Sequence, residues 1–289
     1  MDFILFLTKE RDIIMTKKLS VLLLTIILAT SFVGCSKTSN EASQRPIVIQ
    51  GAMDVETQFL IEQLKDVEEI TYGGWKFFKG SLDNYPIVIA KTEIGITNAA
   101  ASTLLAIEKF NPSAIINQGT AGGHDPELHR FDIVVGQKSV NFGNVRTEHG
   151  DSGQGMQPEN WIPMTLSINI NGESKEFENF EGDSDLIKTA MNLTDTYKNG
   201  KVVEGVIGSA DQWNRELDRI KWINETYQTS VEEMETASAA QVAESYNIPF
   251  LGIRILSNSE IHNEEFDPNA GIYCQEYVLN VVKDLITQN

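Results

Sequence analysis

Cysteine is nearly absent from these 289 residues: only Cys35 and Cys274 occur. Two thiols exclude a disulfide framework and a four-cysteine zinc site. The four histidines, His124, His129, His149 and His262, are scattered, so a histidine-rich metal site is not expected. Cations are scarce as well. Lys and Arg number 23 against 41 Asp and Glu, a formal charge of −18. That excess argues against a nucleic-acid-binding surface, which needs cations to neutralise phosphates. It leaves room for a small-molecule site with a local positive charge. Repeats, coiled-coil heptads and low-complexity tracts are missing too. What is present is 41% apolar and 22% charged residues, a balance that excludes disorder and collagen-like repeats and fits a folded soluble domain.

The longest apolar stretch runs from Leu19 to Gly34, interrupted only by Ser20, Thr25, Thr30 and Ser31, and Lys17 and Lys18 precede it. A basic start followed by an apolar run of this length reads as an export signal, somewhat short for a membrane span. It ends Phe32-Val33-Gly34-Cys35. A small residue before a cysteine, directly after the apolar run, resembles a bacterial lipoprotein signal, which implies cleavage before Cys35 and lipid on its sulfur. An ordinary signal peptide or an uncleaved anchor is the alternative. Met15 makes a more natural start than Met1. The expected organisation is a signal segment over 1–35, a polar tether over 36–45 and one domain over 46–289. The expected location is outside the cell, held to the membrane by the N-terminal lipid alone. Four cations against three acids precede Cys35, so the exported part carries about −19.

From Pro46 onward, β-branched runs alternate with helical patterns. Pro46–Gln50, Pro86–Lys91, Ala114–Asn117, Asp132–Val135, Val202–Ile207 and Phe250–Leu256 read as strands; Asp54–Lys65, Asn98–Phe110, Glu232–Tyr246 and Ile272–Thr287 read as helices. Continuous apolar strands separated by helices predict a mostly parallel sheet covered by helices. Asn171-Gly172, between Leu166–Ile170 and Glu173–Phe177, predicts a hairpin. Cys274 falls on the apolar stripe of the last helix with Val278, Val281, Val282 and Leu285, and so reads as a packing residue.

Sites in parallel α/β folds collect at the carboxyl ends of strands. Five such ends are unusual here. Gly51-Ala52-Met53-Asp54-Val55-Glu56 turns the chain and places Glu56 in a first helical turn, where dipole stabilisation is the plain reading. Gly119-Thr120-Ala121-Gly122-Gly123 brings backbone close to a flat ligand or makes a tight turn; it lacks the residues of a P-loop or dinucleotide fingerprint. Gly208-Ser209-Ala210-Asp211-Gln212-Trp213-Asn214 carries a Trp that stacks on a base or caps the core. Glu232-Glu233-Met234-Glu235 opens a close-packing helix; one Glu there can grip a diol, or the run is a solvated acidic end. Arg254, inside an apolar strand before Ile255-Leu256-Ser257-Asn258, must meet an acid or a ligand.

Taken in order, these motifs resemble the nucleoside phosphorylase/nucleosidase family, and most of all the 5′-methylthioadenosine/S-adenosylhomocysteine nucleosidases. The pattern is Gly-Ala-Met-x-x-Glu at Gly51–Glu56, Gly-Thr-Ala-Gly-Gly at Gly119–Gly123, Asp-Ile-Val-Val at Asp132–Val135, Met-Glu at Met234-Glu235, and Arg-x-x-Ser at Arg254–Ser257. The resemblance runs from about Ile47 to the C-terminus. It implies a single α/β domain with a mixed, twisted central sheet flanked by helices, a homodimer, and no cofactor or metal. It implies cleavage of the N-glycosidic bond of a purine nucleoside by water. By the match, Glu235 grips the ribose hydroxyls and Met234 packs on the sugar. Glu56 orients and deprotonates the attacking water, helped by Arg254. Trp213 falls where the family stacks an aromatic on the purine, and Asn214 follows at the base edge. Ala121 and Gly122 line the base pocket. Thr120, Glu233 and Ile94 belong to the same substrate set, and Phe266 closes over the 5′ end.

Phosphorylases of this family carry an Arg shortly after the first Gly loop. Here Asp54-Val55-Glu56-Thr57-Gln58 has none, which favours hydrolysis over phosphorolysis. Asn258 departs from the pattern: adenine-directed members have Asp there, which protonates N7 of the leaving base. An amide has no such proton to give. Asn258 therefore pairs with N7 and O6 of a 6-oxopurine, or flips onto N7 and the amine of adenine. A phosphorylase and a non-catalytic nucleoside-binding lipoprotein are the remaining alternatives.

Overall fold

The computed structural model describes residues 44–288. The signal segment, Cys35 and almost all of the tether lie outside the described residues.

Strand β1 (Ile47–Gly51) is buried at every position and leads into helix α1 (Asp54–Glu62). A meander follows: β2 (Lys65–Tyr72), β3 (Trp75–Leu82) and β4 (Tyr85–Lys91). Next come α2 (Ile96–Phe110), β5 (Ala114–Gly123) and β6 (Ile133–Asn141). A peripheral stretch holds the short pair β7 (Val145–Arg146) and β8 (Ile162–Pro163), then the hairpin β9 (Leu166–Ile170) and β10 (Glu173–Phe177). Strand β11 (Phe180–Glu181), α3 (Ser184–Met191), β12 (Val202–Ser209) and α4 (Leu217–Tyr227) return to the core. The chain closes with β13 (Thr229–Glu233), α5 (Thr236–Ser245), β14 (Phe250–Asn258) and α6 (Asn269–Gln288).

Ten strands form one sheet, and its centre closes on itself: β5 pairs β13, β13 pairs β12, β12 pairs β6, β6 pairs β14, and β14 pairs β5. The sheet is mixed, as the resemblance implied, and not mostly parallel as the strand pattern alone predicted. The meander β2–β3–β4 is antiparallel, and so are β13 on β5 and β14 on β6. Strand β2 escaped the sequence reading because its outer face is exposed and acidic, with no apolar run to announce it. Helix α1 ends at Glu62, and Lys65 already belongs to β2, which shortens the helix predicted to Lys65.

The helix predicted over Glu232–Tyr246 is a strand followed by a helix. Thr229–Glu233 is buried at every position and joins the sheet; the helix starts only at Thr236. Glu232, Glu233 and Glu235 are all buried, so they are not a solvated acidic helix end.

Strands β5 and β14 run side by side through the middle of the core, and Ile253, Ile255, Ile116, Cys274 and Val278 pack together on one side of them. Burial pushes the Cys274 thiol up to about 12, which keeps it neutral and matches its packing role. Because Ile253 is fully buried, Ile253→Ala is expected to cost about 2–5 kcal/mol in denaturant unfolding; a loss below ~1 kcal/mol would place the core elsewhere.

Candidate active site

The carboxyl ends of β1, β5, β12, β13 and β14 meet at a cavity of about 270 Å³. Its walls include Glu56, Thr120, Ala121, Gly122, Trp213, Met234, Glu235 and Asn258, with Ile94 and Phe266 at the exposed rim. The structure therefore brings twelve of the thirteen sequence-derived catalytic and substrate residues to this cavity or its immediate backing, Glu233 and Arg254 included. Asn214 joins through its contact with the wall residue Glu232. Ala52, Met53, Gln212, Ser257 and Glu232 also line the cavity and were not read from the sequence as site residues.

Glu56 is 2% exposed and is held by four donors. Its Oε2 accepts the N–H groups of Ala52 (2.9 Å) and Met53 (3.1 Å), and its Oε1 accepts the N–H (2.7 Å) and hydroxyl (2.9 Å) of Thr120. The first two bonds tie off the exposed start of α1, so the local turn itself aims this carboxylate at the cavity. Gly119 is what lets β5 pass so close: a Cβ there would overlap Arg254 Nη1 and stand 2.7 Å from Glu56 Oε1.

Arg254 is 1% exposed. Its Nη2 donates to Glu233 Oε2 (2.5 Å), Asn117 Oδ1 (2.5 Å) and Thr236 Oγ1 (2.9 Å), and lies 3.6 Å from Glu235 Oε2. Burial by itself would pull the guanidinium down. The carboxylates of Glu233, Glu235 and Glu56 outweigh that and raise it, so the cation is permanent. The hydrogen-bonded partners of Arg254 are thus Glu233, Asn117 and Thr236, with Glu235 close by, and it approaches Glu56 in the space that a side chain at Gly119 would fill.

Glu233 is consumed internally. It accepts Ser209 Oγ, the N–H groups of Glu235 and Thr236, and Arg254, and so caps α5 while holding the cation. Glu235 is freer: its Oε1 accepts only the N–H of Gly95 (2.9 Å). Burial, with Glu233 close by, pushes Glu235 up to about 8, although Arg254 opposes the shift. Gly95 sits at φ +106, where glycine is favoured, and a Cβ there would come within 3.0 Å of Asp211 Oδ1, which in turn accepts the Ile96 N–H (2.8 Å). That contact ties the Trp213 loop to the start of α2.

Trp213 is 63% exposed at the cavity edge, so it does not cap the core. Asn258 is buried; its Oδ1 accepts the Ser257 hydroxyl (3.0 Å) and its Nδ2 points toward Gly122. Among the described residues no cluster of three or more His, Cys, Asp or Glu could hold a metal ion, and no helix is long and apolar enough to cross a membrane.

Two outcomes follow from this geometry. Gly119→Ala is expected to lower Tm clearly more than Gly122→Ala, whose Cβ would meet nothing nearer than 3.5 Å; equal melting shifts would contradict the crowding described at Gly119. Glu235 keeps its proton up to about pH 8 when folded but only to its ordinary value of 4.5 when unfolded. The folded state then holds more protons across that window, and stability falls as pH rises through it. Relative to Glu235→Gln, the natural protein is expected to lose Tm between pH 4.5 and 8 and to diverge no further above; an offset constant with pH would refute the raised carboxyl.

Comparison with known proteins agrees with this architecture. The family model described as the phosphorylase superfamily matches residues 46–285. A 5′-methylthioadenosine/S-adenosylhomocysteine nucleosidase of Bacillus cereus (strain G9842) is 29% identical over 249 residues, 83% of this chain and 99% of the relative. Solved structures of such nucleosidases superpose with TM-scores of 0.68. The enzyme of Neisseria meningitidis is 26% identical, covering 83% of this chain and 99% of its own. That of Colwellia psychrerythraea, in complex with adenine, is 27% identical, covering 84% and 96%. The futalosine hydrolase of Helicobacter pylori strain 26695 gives 25% identity and the same TM-score, covering 84% and 99%. With the family match spanning nearly the whole of the described residues, and the glutamates and glycines of the family's motifs gathered at one cavity, this chain belongs to the phosphorylase superfamily.

Proposed function

We propose that this protein hydrolyses the N-glycosidic bond of a purine nucleoside, releasing the free base and the ribose moiety. One observation carries the choice of water over phosphate. The cavity is lined by Glu56, Glu232, Glu233 and Glu235, and no Lys or Arg is among its lining residues. Arg254, which lies behind it, is already committed to Glu233, Asn117 and Thr236. A phosphate would enter a field of carboxylates with no cation among the described lining residues to bind it, whereas water needs only a base.

Cleavage passes through a ribosyl cation-like state, which such a field stabilises. Glu56 is the base for a water that takes the place of the Thr120 hydroxyl on Oε1, the backbone N–H donors of Ala52, Met53 and Thr120 still fixing the carboxylate. Glu235, with one oxygen spare, takes the ribose hydroxyls, and Met234 packs on the sugar. Trp213 covers the base over the floor of Ala121 and Gly122. Ile94 and Phe266 flank the 5′ end. The relatives are named for methylthioadenosine and adenosylhomocysteine; what carries over to this chain is the reaction and the nucleoside class. The same proposal includes a homodimer, supported by the family resemblance, and export with a lipid on Cys35, supported by the run Leu19–Gly34 and the cysteine after it.

Purified full-length protein in detergent is expected to release base from purine nucleosides equally with and without phosphate, followed by chromatography. Release that requires phosphate would make it a phosphorylase. Glu56→Gln is expected to lose activity by about 10²–10⁴ while still binding nucleoside in calorimetry; full activity in that variant would mean the base is another residue.

A further inference from the structure

Gln50 follows an apolar run in β1 and Asn117 follows one in β5, yet both amide side chains are buried. Strand register puts them side by side. Gln50 is paired with Asn117, and Asn117 is paired on its other side with Gly252 of β14. Two residues earlier on the same strands, and so on the same face, stand Val48, Ile115 and Phe250, which belong to the apolar cluster shared with α2 and α5. The two amides thus interrupt an apolar face. A buried amide is costly unless both its oxygen and its nitrogen find partners.

Their partners run in a single line. Asn117 Oδ1 accepts Arg254 Nη2 (2.5 Å) and the Thr236 hydroxyl (3.2 Å). Asn117 Nδ2 donates to Gln50 Oε1 (3.1 Å), and Gln50 Nε2 donates to Thr103 Oγ1 (2.9 Å). The Thr103 hydroxyl, also buried, donates to the carbonyl of Ala99 (2.7 Å), one turn earlier in α2. The direction of this line is fixed at both ends. A guanidinium only donates, so Asn117 must turn its oxygen to Arg254 and its nitrogen to Gln50. Gln50 must answer with its oxygen, which leaves its nitrogen for Thr103. Thr103 can accept because its own proton goes to Ala99. Reversing either amide would set donor against donor in the interior. Arg254 Nη2 has two hydrogens, which Glu233, Asn117 and Thr236 share; Glu235 Oε2, at 3.6 Å, receives no bond. The start of α2 holds Glu235 instead, through the Gly95 N–H (2.9 Å). One helix therefore fixes both the cation and the carboxylate.

We propose that Thr103, Gln50 and Asn117 are positioning residues, a one-way hydrogen-bond relay from helix α2 that keeps Arg254 on Glu233 and withholds its hydrogens from Glu235. None of the three lines the cavity. When the relay is broken, Asn117 is free to turn its amide, and the Nη2 hydrogen that it held becomes available to Glu235. A direct bond to the cation favours the charged carboxylate, so Glu235 then gives up its proton at lower pH. The part played in the reaction rests on the nucleoside site proposed above, where Glu235 takes the ribose hydroxyls. The relay itself is read from the titration of Glu235, which needs no substrate.

The test is the melting temperature of the full-length protein in detergent across the window from pH 4.5 to 8, each form compared with the same form carrying Glu235→Gln. Thr103→Val keeps the volume and removes the hydroxyl; Thr103→Ser keeps the hydroxyl and removes a methyl. In Thr103→Val the upper edge of the window is expected to fall by about one pH unit or more. In Thr103→Ser it is expected to stay where it is in the natural protein. Gln50→Met, which takes the acceptor away from Asn117, is a second break with the same expected acid shift, and it decides the question if Thr103→Val does not fold. An unmoved edge in either variant, once folded, overturns the relay, because a packing role would change the overall Tm and leave the titration alone. An equal shift in Thr103→Ser overturns it too, as does a natural protein that shows no edge. KM for adenosine and inosine is expected to shift its pH dependence by the same amount; a KM that does not follow removes the relay from the reaction. If the edge moves as expected but the natural protein hydrolyses no nucleoside, the nucleosidase reading falls and the relay stands. If nucleosides are hydrolysed and the edge stays in place, the relay falls and the nucleosidase reading stands.

Discussion

Arg254 carries its charge in the interior of the molecule, in the middle of a strand with apolar neighbours on both sides. An unpaired guanidinium there would cost several kcal/mol. It is tolerated because four elements converge on it at once: Glu233 ends β13, Thr236 opens α5, Asn117 comes from β5, and Glu235 lies in the turn between strand and helix. None of these groups is adjacent to Arg254 in the chain. The central ring of strands must close before the charge is compensated, and the place where it closes is the place where the cavity opens. Fold and site therefore depend on the same ion cluster.

The consequences for chemistry follow from the counting of charges. One cation serves Glu233 and Glu235, and Glu233 holds it more closely. Glu235 is left in a desolvated site with a like charge beside it, so its proton is held up to about pH 8. Glu56 stands on the other side of Gly119, satisfied by backbone and hydroxyl donors instead of a cation. Two carboxylates of one cavity thus have different surroundings, one a fixed acceptor and one a proton holder, which is the kind of division that glycosidic cleavage uses. The glycines of β5 matter because the space they leave is filled by these side chains at Gly119 and stays open at Gly122.

Much of this was legible in the sequence. The buried strands β1, β4, β5, β6, β12 and β14 all announced themselves as continuous apolar runs, and every motif assigned to a strand end is found at one. The meander was not legible, because β2 is stabilised by its partner β3 and carries little apolar pattern of its own. Helix α4 did leave a signal, Leu217, Ile220 and Ile223 at helical spacing, of which Ile220 and Ile223 are buried, and that signal could have found it. The acidic run at Glu232 was misread for a stronger reason. In a helix its glutamates would fan around an exposed end; in a strand neighbours point to opposite faces, so Glu233 meets Arg254 and Glu232 meets the floor at Gly122. A period-two reading of Ser230 to Glu233 would have required knowing that β13 is buried between two strands.

What the sequence determined by itself is local: which runs are apolar enough to be buried, where glycines let backbone turn or crowd, and which charged residues sit inside apolar context and must find partners. Glu56 is held by its own turn, and its position at a helix start could be read directly. What only the tertiary structure decided is partnership across the sheet. That Arg254 goes to Glu233 and not to Glu56, and that Glu232 and Asn258 face each other across Gly122, depends on strand order and register. A shift of one residue in β13 would exchange the faces of its two glutamates while leaving composition and hydrophobic content unchanged.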